Sequence, residues 1–169
     1  AEQQTETGLG TLNALAFYNH VRHNMNFLDD KLFLGTMTAR NMPMDTRGSD
    51  FGYKVSLDHK LADGSTLKVG NELHRQTLNE WWPPVTGKPG MCCNTYELID
   101  DGERTRLGTF IEIDKKLSDA VSLVAGLRND VVWINTENVQ GYNVNPMIGY
   151  GADAAAFNAK DHSKTDVNF

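Results

Sequence analysis

The sequence predicts an all-β protein, and more specifically an antiparallel up-and-down transmembrane β-barrel segment. Three observations support this prediction. Apolar and polar residues alternate with a period of two along much of the chain. Tight turns alternate with long, irregular connections, as they do in outer-membrane barrels. No stretch approaches the roughly 18 to 20 consecutive apolar residues of a membrane-spanning helix, so a helical membrane span is excluded.

The alternation predicts about five strands. The clearest one runs from Phe51 to Leu61, where every odd position except His59 is apolar and every even position is polar or glycine. Such a strand has one apolar and one strongly polar face. The same pattern places strands at 12–25, 51–61, 67–74, 106–114 and 121–130.

The connections between these strands fall into two length classes. Those at 62–65 and 117–120 are tight, whereas those near 28–49, 79–103 and 136–169 are long and rich in Gly, Asn, Asp and Pro. We expect the tight turns at one end of the sheet and the long loops, extracellular in a barrel, at the other. A soluble β-sandwich remains the alternative, because periodicity does not tell a lipid-facing surface from a core-facing one.

The barrel interpretation assigns a role to each face of the strands. Four side chains are expected on an exposed apolar band, namely Leu57, Val69, Ile111 and Leu123. Aromatic residues at strand ends suit interfacial girdles, and they are Tyr18, Phe51, Tyr53, Trp81, Trp82 and Trp133. Charged residues on the opposite face are expected to pair across neighbouring strands, and they are Lys54, Asp58, Glu72, Arg106, Glu112, Arg128 and Asp130.

Composition narrows the function classes. The 169 residues include 16 Lys+Arg and 22 Asp+Glu, a formal net charge of -6. This acidic balance gives no support to nucleic-acid binding, which usually shows as a basic face. Mean hydropathy is -0.45, which does not exclude a transmembrane barrel because only alternate residues of its strands are apolar. The first residues, AEQQTETG, lack the basic and apolar regions of a signal peptide, so we expect a chain that is mature, truncated or never exported.

The sequence contains no catalytic constellation. GxSxG, HExxH, a Walker loop and paired CxxC motifs are all missing from it. Glu97, Asp100, Asp101 and Glu103 form an acidic run that suits a solvated loop tip better than a general acid–base pair. We therefore expect no enzyme and no required cofactor.

Several segments resemble the barrel of TonB-dependent outer-membrane receptors, particularly the copper-receptor branch. They occur in the family's order and cover nearly the whole chain. The segments are RHNMNF (22–27), MPMDTRGSDFGYKV (42–55), GNELHR (70–75), NEWWPPV (79–85), NTYELIDDGERTRLGTFIE (94–112), GLRND (126–130), VQGYN (139–143) and YGADAAAFNAKDHSKTD (150–166).

The resemblance implies a location in the bacterial outer membrane and import of copper or a copper complex. Such receptors have 22 strands around a plugged lumen, which at about 10 residues per strand need roughly 220 residues, more than this chain holds. We therefore expect residues 1–169 to form a partial barrel, with the plug domain outside the chain. The partners so implied are outer-membrane lipid, TonB acting through the plug, and the remaining barrel segments on the same or other chains.

His23 and Met25 are the sharpest candidate metal ligands. Residues i and i+2 of a strand project to one face about 7 Å apart, so this imidazole and thioether can converge on one ion. The donor set is soft and suits copper, especially Cu(I). The resemblance implies that the His-x-Met pair is half of a site completed by a Cys and a Met of the plug. A polar lumen histidine beside a packing methionine is the other interpretation. His20 lies at an odd offset from His23 and is expected on the opposite face.

Weaker candidate donors lie in the predicted loops. They would pass Cu(I) inward if the loops converge, and they are Met37, Met42, Met44, Met91, Cys92 and Cys93. The two cysteines are adjacent, so they cannot staple distant segments. Reduced loop thiols, metal ligation and pairing outside the chain all remain open for them.

Three other functions remain open. The same fold would serve a siderophore or another organic chelate, with aromatic loops around Trp81, Trp82 and Tyr96 as the contact surface. A passive porin or adhesin barrel would make the soft donors incidental. A soluble β-sandwich binding module would need no membrane.

Overall fold

The computed structural model describes residues 1–25, 43–84, 95–140 and 150–169. Within the helix, side chains are described from residue 154 onward. It contains one antiparallel sheet of seven strands, in which each strand pairs with its neighbours in sequence. One helix, α1, precedes the last strand. The elements are β1 (Glu2–Thr7), β2 (Gly10–Met25), β3 (Met44–Lys60), β4 (Thr66–Trp82), β5 (Tyr96–Lys116), β6 (Ser122–Asn135), α1 (Tyr150–Asn158) and β7 (Lys164–Asn168).

The all-β antiparallel class is confirmed, but the prediction of about five strands is too low. The five predicted strands correspond to β2 through β6, and two short edge strands, β1 and β7, are added to them. The sequence of β1, EQQTET, contains no apolar residue, and that of β7, KTDVN, contains one. Apolar alternation cannot reveal such strands. They form by backbone pairing with β2 and β6.

The long strands also extend into the stretches predicted as loops. Residues 44–49, 79–82, 96–103 and 164–168 are strand, and α1 also lies within the predicted loop 136–169. At the start of β3 the run Asp45-Thr46-Arg47 is polar on both faces, so the period-two signal fades there before the pairing does. The loops are therefore shorter than the sequence predicts.

The two ends of the sheet differ in their connections. Successive strands are antiparallel, so the turns at 61–65 and 117–121 lie at one end. The last residues of β2, β4 and β6 all lie at the other end, which we call the loop end. The two tight turns therefore lie at one end, as predicted, whereas residues 26–42, 85–94 and 141–149 of the predicted loops lie outside the described residues.

The β3–β4 turn is held by a glycine and a carboxylate. Gly64 has φ of 82°, a conformation that favours glycine, and its N–H donates to Leu61 O at 3.0 Å. Asp63 accepts from Lys115 Nζ at 2.9 Å and from the Ser65 N–H at 3.0 Å. The Lys115 ammonium first, and the Ser65 N–H second, hold the pKa of the Asp63 carboxyl well below its usual range. The contact ties the turn to β5.

The register divides the strands into two faces, because directly opposite residues on neighbouring strands share a face. We call one the apolar face, and a representative cross-strand row of it contains Leu12, Leu57, Val69, Ile111 and Leu127. We call the other the polar face, and its adjacent row contains Thr11, Asp58, Lys68, Glu112 and Gly126. The alternation read from the sequence therefore gives the correct face for these residues.

A single layer of sheet provides little core. Within the described residues, the buried hydrophobic side chains are Tyr96 and Val132, at 6% and 8% exposure. By contrast, Leu127 on the apolar face is 78% exposed. An apolar surface of this extent is typical of a face that meets another apolar medium or molecule.

The sheet has two open edges. β1 pairs with β2 alone and β7 pairs with β6 alone, so the described strands do not close into a barrel. Each edge presents backbone N–H and C=O groups that another strand can pair with.

Gly52 on the polar face makes room for an aromatic side chain from β2. The ring of Phe17 lies over it and meets the ring of His74 edge-on, with centroids 5.6 Å apart. A Cβ at Gly52 would stand 2.5 Å from Phe17 Cζ and 2.8 Å from the backbone oxygen of Leu73. The close approach of three strands at this point therefore requires glycine.

We expect Gly52→Ala to lower the free energy of unfolding by about 1 to 3 kcal/mol, because the Leu73 carbonyl belongs to the ladder and cannot move aside. Chemical denaturation followed by far-ultraviolet circular dichroism measures the change. Gly8→Ala is the matched control, since a Cβ at Gly8 meets no atom within 4 Å. Equal denaturation midpoints for the two variants would contradict this packing.

Candidate functional site

The expected apolar band is present for three of its four named residues. Val69, Ile111 and Leu123 are 38%, 45% and 48% exposed. Leu57 shares their face but is half-buried, and it lies between Leu12 and Val69 in the cross-strand row. In the cross-strand row through Leu57, the residue is apolar in every strand from β2 to β6.

An aromatic row borders this band toward the loop end. Tyr18 pairs with Phe51, and further along the same cross-strand row Trp133 pairs with Thr105. Tyr18 is 67% exposed, Phe51 46% and Trp133 41%. An exposed aromatic row at the edge of an apolar band is typical of a membrane interface. We call these three residues the aromatic row.

The other three aromatic residues predicted for a girdle lie elsewhere. Tyr53 is one row inside the band, and its hydroxyl donates to Asn71 Oδ1 at 2.8 Å. Trp81 lies six residues beyond the aromatic row along β4, under the guanidinium of Arg47 at 5.1 Å. Trp82 follows it and pairs with Tyr96. Alternation gives the face of a residue but not its height along the sheet, so the sequence could not separate the two groups.

The apolar face extends along most of β6. Leu123 and Trp133 share this face and are ten residue steps apart on β6. At about 3.3 Å per residue they are separated by about 33 Å of strand. With a tilt near 40°, this corresponds to about 25 Å of height, the value typical of outer-membrane barrels.

Asn71 is a polar interruption of the apolar face. Besides accepting from Tyr53, it donates through Nδ2 to Gly108 O at 3.0 Å and to Thr109 Oγ1 at 3.1 Å. Its amide is therefore hydrogen-bonded within the sheet, which lowers the cost of placing it in an apolar environment. The sequence gives no signal for this arrangement, because it depends on the β4–β5 register.

An ion-pair cluster occupies the centre of the polar face. Glu72 on β4 accepts from Arg106 on β5 at 2.7 Å and also from Arg128 on β6. Asp130 pairs with Arg128 at 2.7 Å and lies 3.9 Å from Arg106. The side chain of Glu72 is only 15% exposed. The cluster links three strands through two carboxylates and two guanidinium groups.

Further polar contacts flank this cluster. Asp58 pairs with Lys68 at 3.7 Å, and the ring of His74 lies 3.1 Å from Asp50. Lys54 places its ammonium 5.3 Å from the ring centroid of Phe110. The predicted cross-strand pairing is thus confirmed for the acidic and basic residues of the cluster and for Asp58. Charges that neutralise one another in this way suit a lumen surface.

A cavity of about 560 Å³ lies at the loop end, beside the polar face. Its apolar lining includes Val21, Leu78, Ile134, Val139 and Phe157. Sequence reasoning does not find it, because Val139 and Phe157 come from the connection between β6 and β7.

Side-chain hydrogen bonds tie the two described parts of this connection to each other. Asn158 donates to Val139 O at 2.7 Å and accepts from the Val139 N–H at 2.9 Å. The ring nitrogens of His162 lie 2.9 Å from Phe157 O and 3.1 Å from Thr136 O. Phe157, stacked on His162 at 4.3 Å, is thereby fixed at the cavity wall.

His23 and Met25 share the polar face, as the sequence predicts. They lie at the loop end of β2, opposite Thr46 and Met44 of β3. His20 pairs with Ser49 and lies on the other face. Met44, predicted as a loop residue, is instead the first residue of β3 and lies directly across from Met25. We call His23, Met25 and Met44 the soft-donor cluster.

The remaining predicted donors, Met37, Met42, Met91, Cys92 and Cys93, lie outside the described residues. Across the part of the chain that the structure describes, no group of three or more His, Cys, Asp or Glu side chains is arranged to hold a metal ion.

Comparison with protein-family models, curated proteins and solved structures finds no match to this chain. Among the described residues, α1 is too short to cross a membrane, and no helix has the length and apolar content required.

We expect Glu72→Gln to destabilise the sheet by about 1.5 to 3 kcal/mol, because it removes the charge that Arg106 and Arg128 share in a largely buried position. Glu103→Gln is the matched control. Glu103 pairs with Arg75 at 2.5 Å, but its side chain is 41% exposed, so the loss should be about 0 to 1 kcal/mol. Thermal unfolding of the two variants measures the difference. Equal losses would show that the cluster does not stabilise the sheet more than an exposed pair.

Proposed function

We propose that the chain forms part of the wall of a TonB-dependent outer-membrane receptor that imports a metal, with copper or a copper complex as the cargo. The observation that carries the proposal is the contrast between the two faces. One face is an exposed apolar band bordered by the aromatic row, and the other carries a self-neutralising ion-pair cluster. Lipid on one side and an aqueous lumen on the other require this contrast.

The sandwich alternative receives less support. A β-sandwich covers each apolar face with a second sheet about 10 Å away. In the described part of the chain there is a single sheet, and the side chains of its apolar face remain exposed. Lipid supplies a cover without a second protein layer.

The open edges favour a segment of a larger barrel. Unpaired backbone groups at β1 and β7 would be costly in a bilayer, where no water satisfies them. Further strands that pair with both edges would remove this cost. We propose that the remaining barrel segments provide them, and that a plug linked to TonB fills the lumen.

Copper as the cargo rests on His23 and Met25. Both belong to the polar face, which is the lumen face in this proposal. Imidazole and thioether donors favour copper over hard cations. The sequence resemblance to the copper-receptor branch at 22–27 supports the same cargo.

A second cargo class has its own supporting observation. The cavity at the loop end has an apolar lining and a volume within the range of small-molecule pockets. It suits an organic chelate of a metal better than a bare ion. The copper-binding test below distinguishes the two cargoes.

The membrane location predicts that Trp133 contacts lipid while Trp81 and Trp82 do not. We expect strong fluorescence quenching by brominated lipids in a Trp81→Phe/Trp82→Phe variant, which retains Trp133 at the edge of the band. The Trp133→Phe variant retains the other two and should be quenched much less. Weak, equal quenching in both variants, or a chain that stays monodisperse without detergent, would contradict a wall that faces lipid.

The cargo assignment predicts that His23→Ala or Met25→Ala lowers the affinity for copper and leaves the sheet folded, because polar-face positions near the loop end carry little packing. Equilibrium dialysis with copper measures the affinity. His20→Ala is the control, since it removes an imidazole from the opposite face of the same strand. Unchanged copper affinity in both variants would reject copper at this site and favour the chelate.

A further inference from the structure

We infer that Met44 is a third ligand in the site of His23 and Met25, and that this cross-strand site takes the metal as Cu(I). The inference rests on the proposed copper function and adds a donor from a second strand. It assigns an oxidation state to the cargo and a height to the site within the wall.

The β2–β3 register brings the three donors together. Met25 and Met44 are directly opposite, so their Cβ atoms are about 5 Å apart. His23 precedes Met25 by two residues and is diagonal to Met44, at about 7 to 8 Å. The methionine side chain has three rotatable bonds, so both sulfur atoms can turn toward the imidazole.

A hydrogen bond on the other face supports this register. Asn24 lies between His23 and Met25, Asp45 follows Met44, and Asn24 Nδ2 donates to Asp45 Oδ1 at 2.9 Å. Because neighbouring residues of a strand project to opposite faces, this pair lies away from the soft-donor cluster. The contact fixes the two strands side by side at the level of the site.

The environment of the donors suits a metal better than a packed core. Met25 is 42% exposed and His23 is also exposed, so both side chains are accessible to an ion. Two thioethers with one imidazole form a softer set than His23 and Met25 alone, which favours Cu(I) over Cu(II). On the same face, the carboxylate of Glu80 stands two strands away from His23, across Thr46.

The site also has a defined height. Met25 is seven residues beyond Tyr18 of the aromatic row, toward the loop end. At about 3.3 Å per residue, this places the cluster about 23 Å of strand above the edge of the apolar band. In a receptor wall, the metal would thus be taken up at the mouth of the lumen rather than at its middle.

The test measures Cu(I) affinity by competition with a chromophoric Cu(I) chelator under anaerobic, reducing conditions. All variants carry Cys92→Ser and Cys93→Ser, so that thiolates do not take the metal. Met44→Leu conserves volume. We expect it to weaken Cu(I) binding by at least about tenfold, since even an outer-shell partner of a metal ligand is worth 10- to 100-fold. His20→Ala should bind as the parent does.

X-ray absorption at the copper edge, with one equivalent of Cu(I), provides a readout that a structural effect would not move. We expect two sulfur neighbours per copper in the parent and one in Met44→Leu. An unchanged sulfur count and affinity in Met44→Leu, with weaker binding in Met25→Leu, would overturn the third ligand and leave the copper function standing. If His23→Ala and Met25→Leu also bind as the parent does, the copper function fails as well.

Discussion

The structure depends on one constraint, which is that a single-layer sheet must have its apolar face covered. Side chains such as Ile111 and Leu127 have no second layer above them among the described residues, and they are 45% and 78% exposed. At about 25 cal/mol per Å² of apolar surface, leaving such a face in water would forfeit much of the free energy that folding requires. The cover therefore decides both the stability of the sheet and the place where it functions.

The central charges of the polar face are paired with one another. Glu72 and Asp130 neutralise Arg106 and Arg128 across three strands, and Gly52 admits the ring of Phe17. These contacts fix the register of β2 through β6 on this face, and Asn71 adds hydrogen bonds to Tyr53 and Gly108 on the apolar face. The soft-donor cluster lies on the polar face as well, so the same register that pairs the charges also aligns Met25 with Met44.

Period-two alternation predicted much of the fold from the sequence. It gave the faces of β2 through β6 and placed His23 and Met25 together, because both results depend only on local geometry. It missed β1, whose sequence EQQTET has no apolar residue, and it began β3 too late because Asp45 and Arg47 give no apolar signal.

Features that depend on the pairing between strands could not be predicted from the sequence. The position of Met44 opposite Met25 and the bonding of Asn71 to Tyr53 and Gly108 both follow from register, which joins residues distant in the chain. The relative heights of Trp81 and Trp133 on the sheet likewise follow only from the register. Alternation assigns a face to a residue, and only the register assigns its neighbours.

A scan of spin-label accessibility along β6 tests most directly whether the apolar face meets lipid. Single cysteines at 122–134, in a chain with Cys92→Ser and Cys93→Ser, are labelled in reconstituted vesicles. A lipid-facing wall predicts that labels at odd positions from Leu123 to Trp133 are accessible to oxygen and shielded from a water-soluble nickel chelate, with the opposite pattern at even positions. Odd positions that are immobilised and shielded from both reagents would indicate a second protein layer and contradict a wall in contact with lipid.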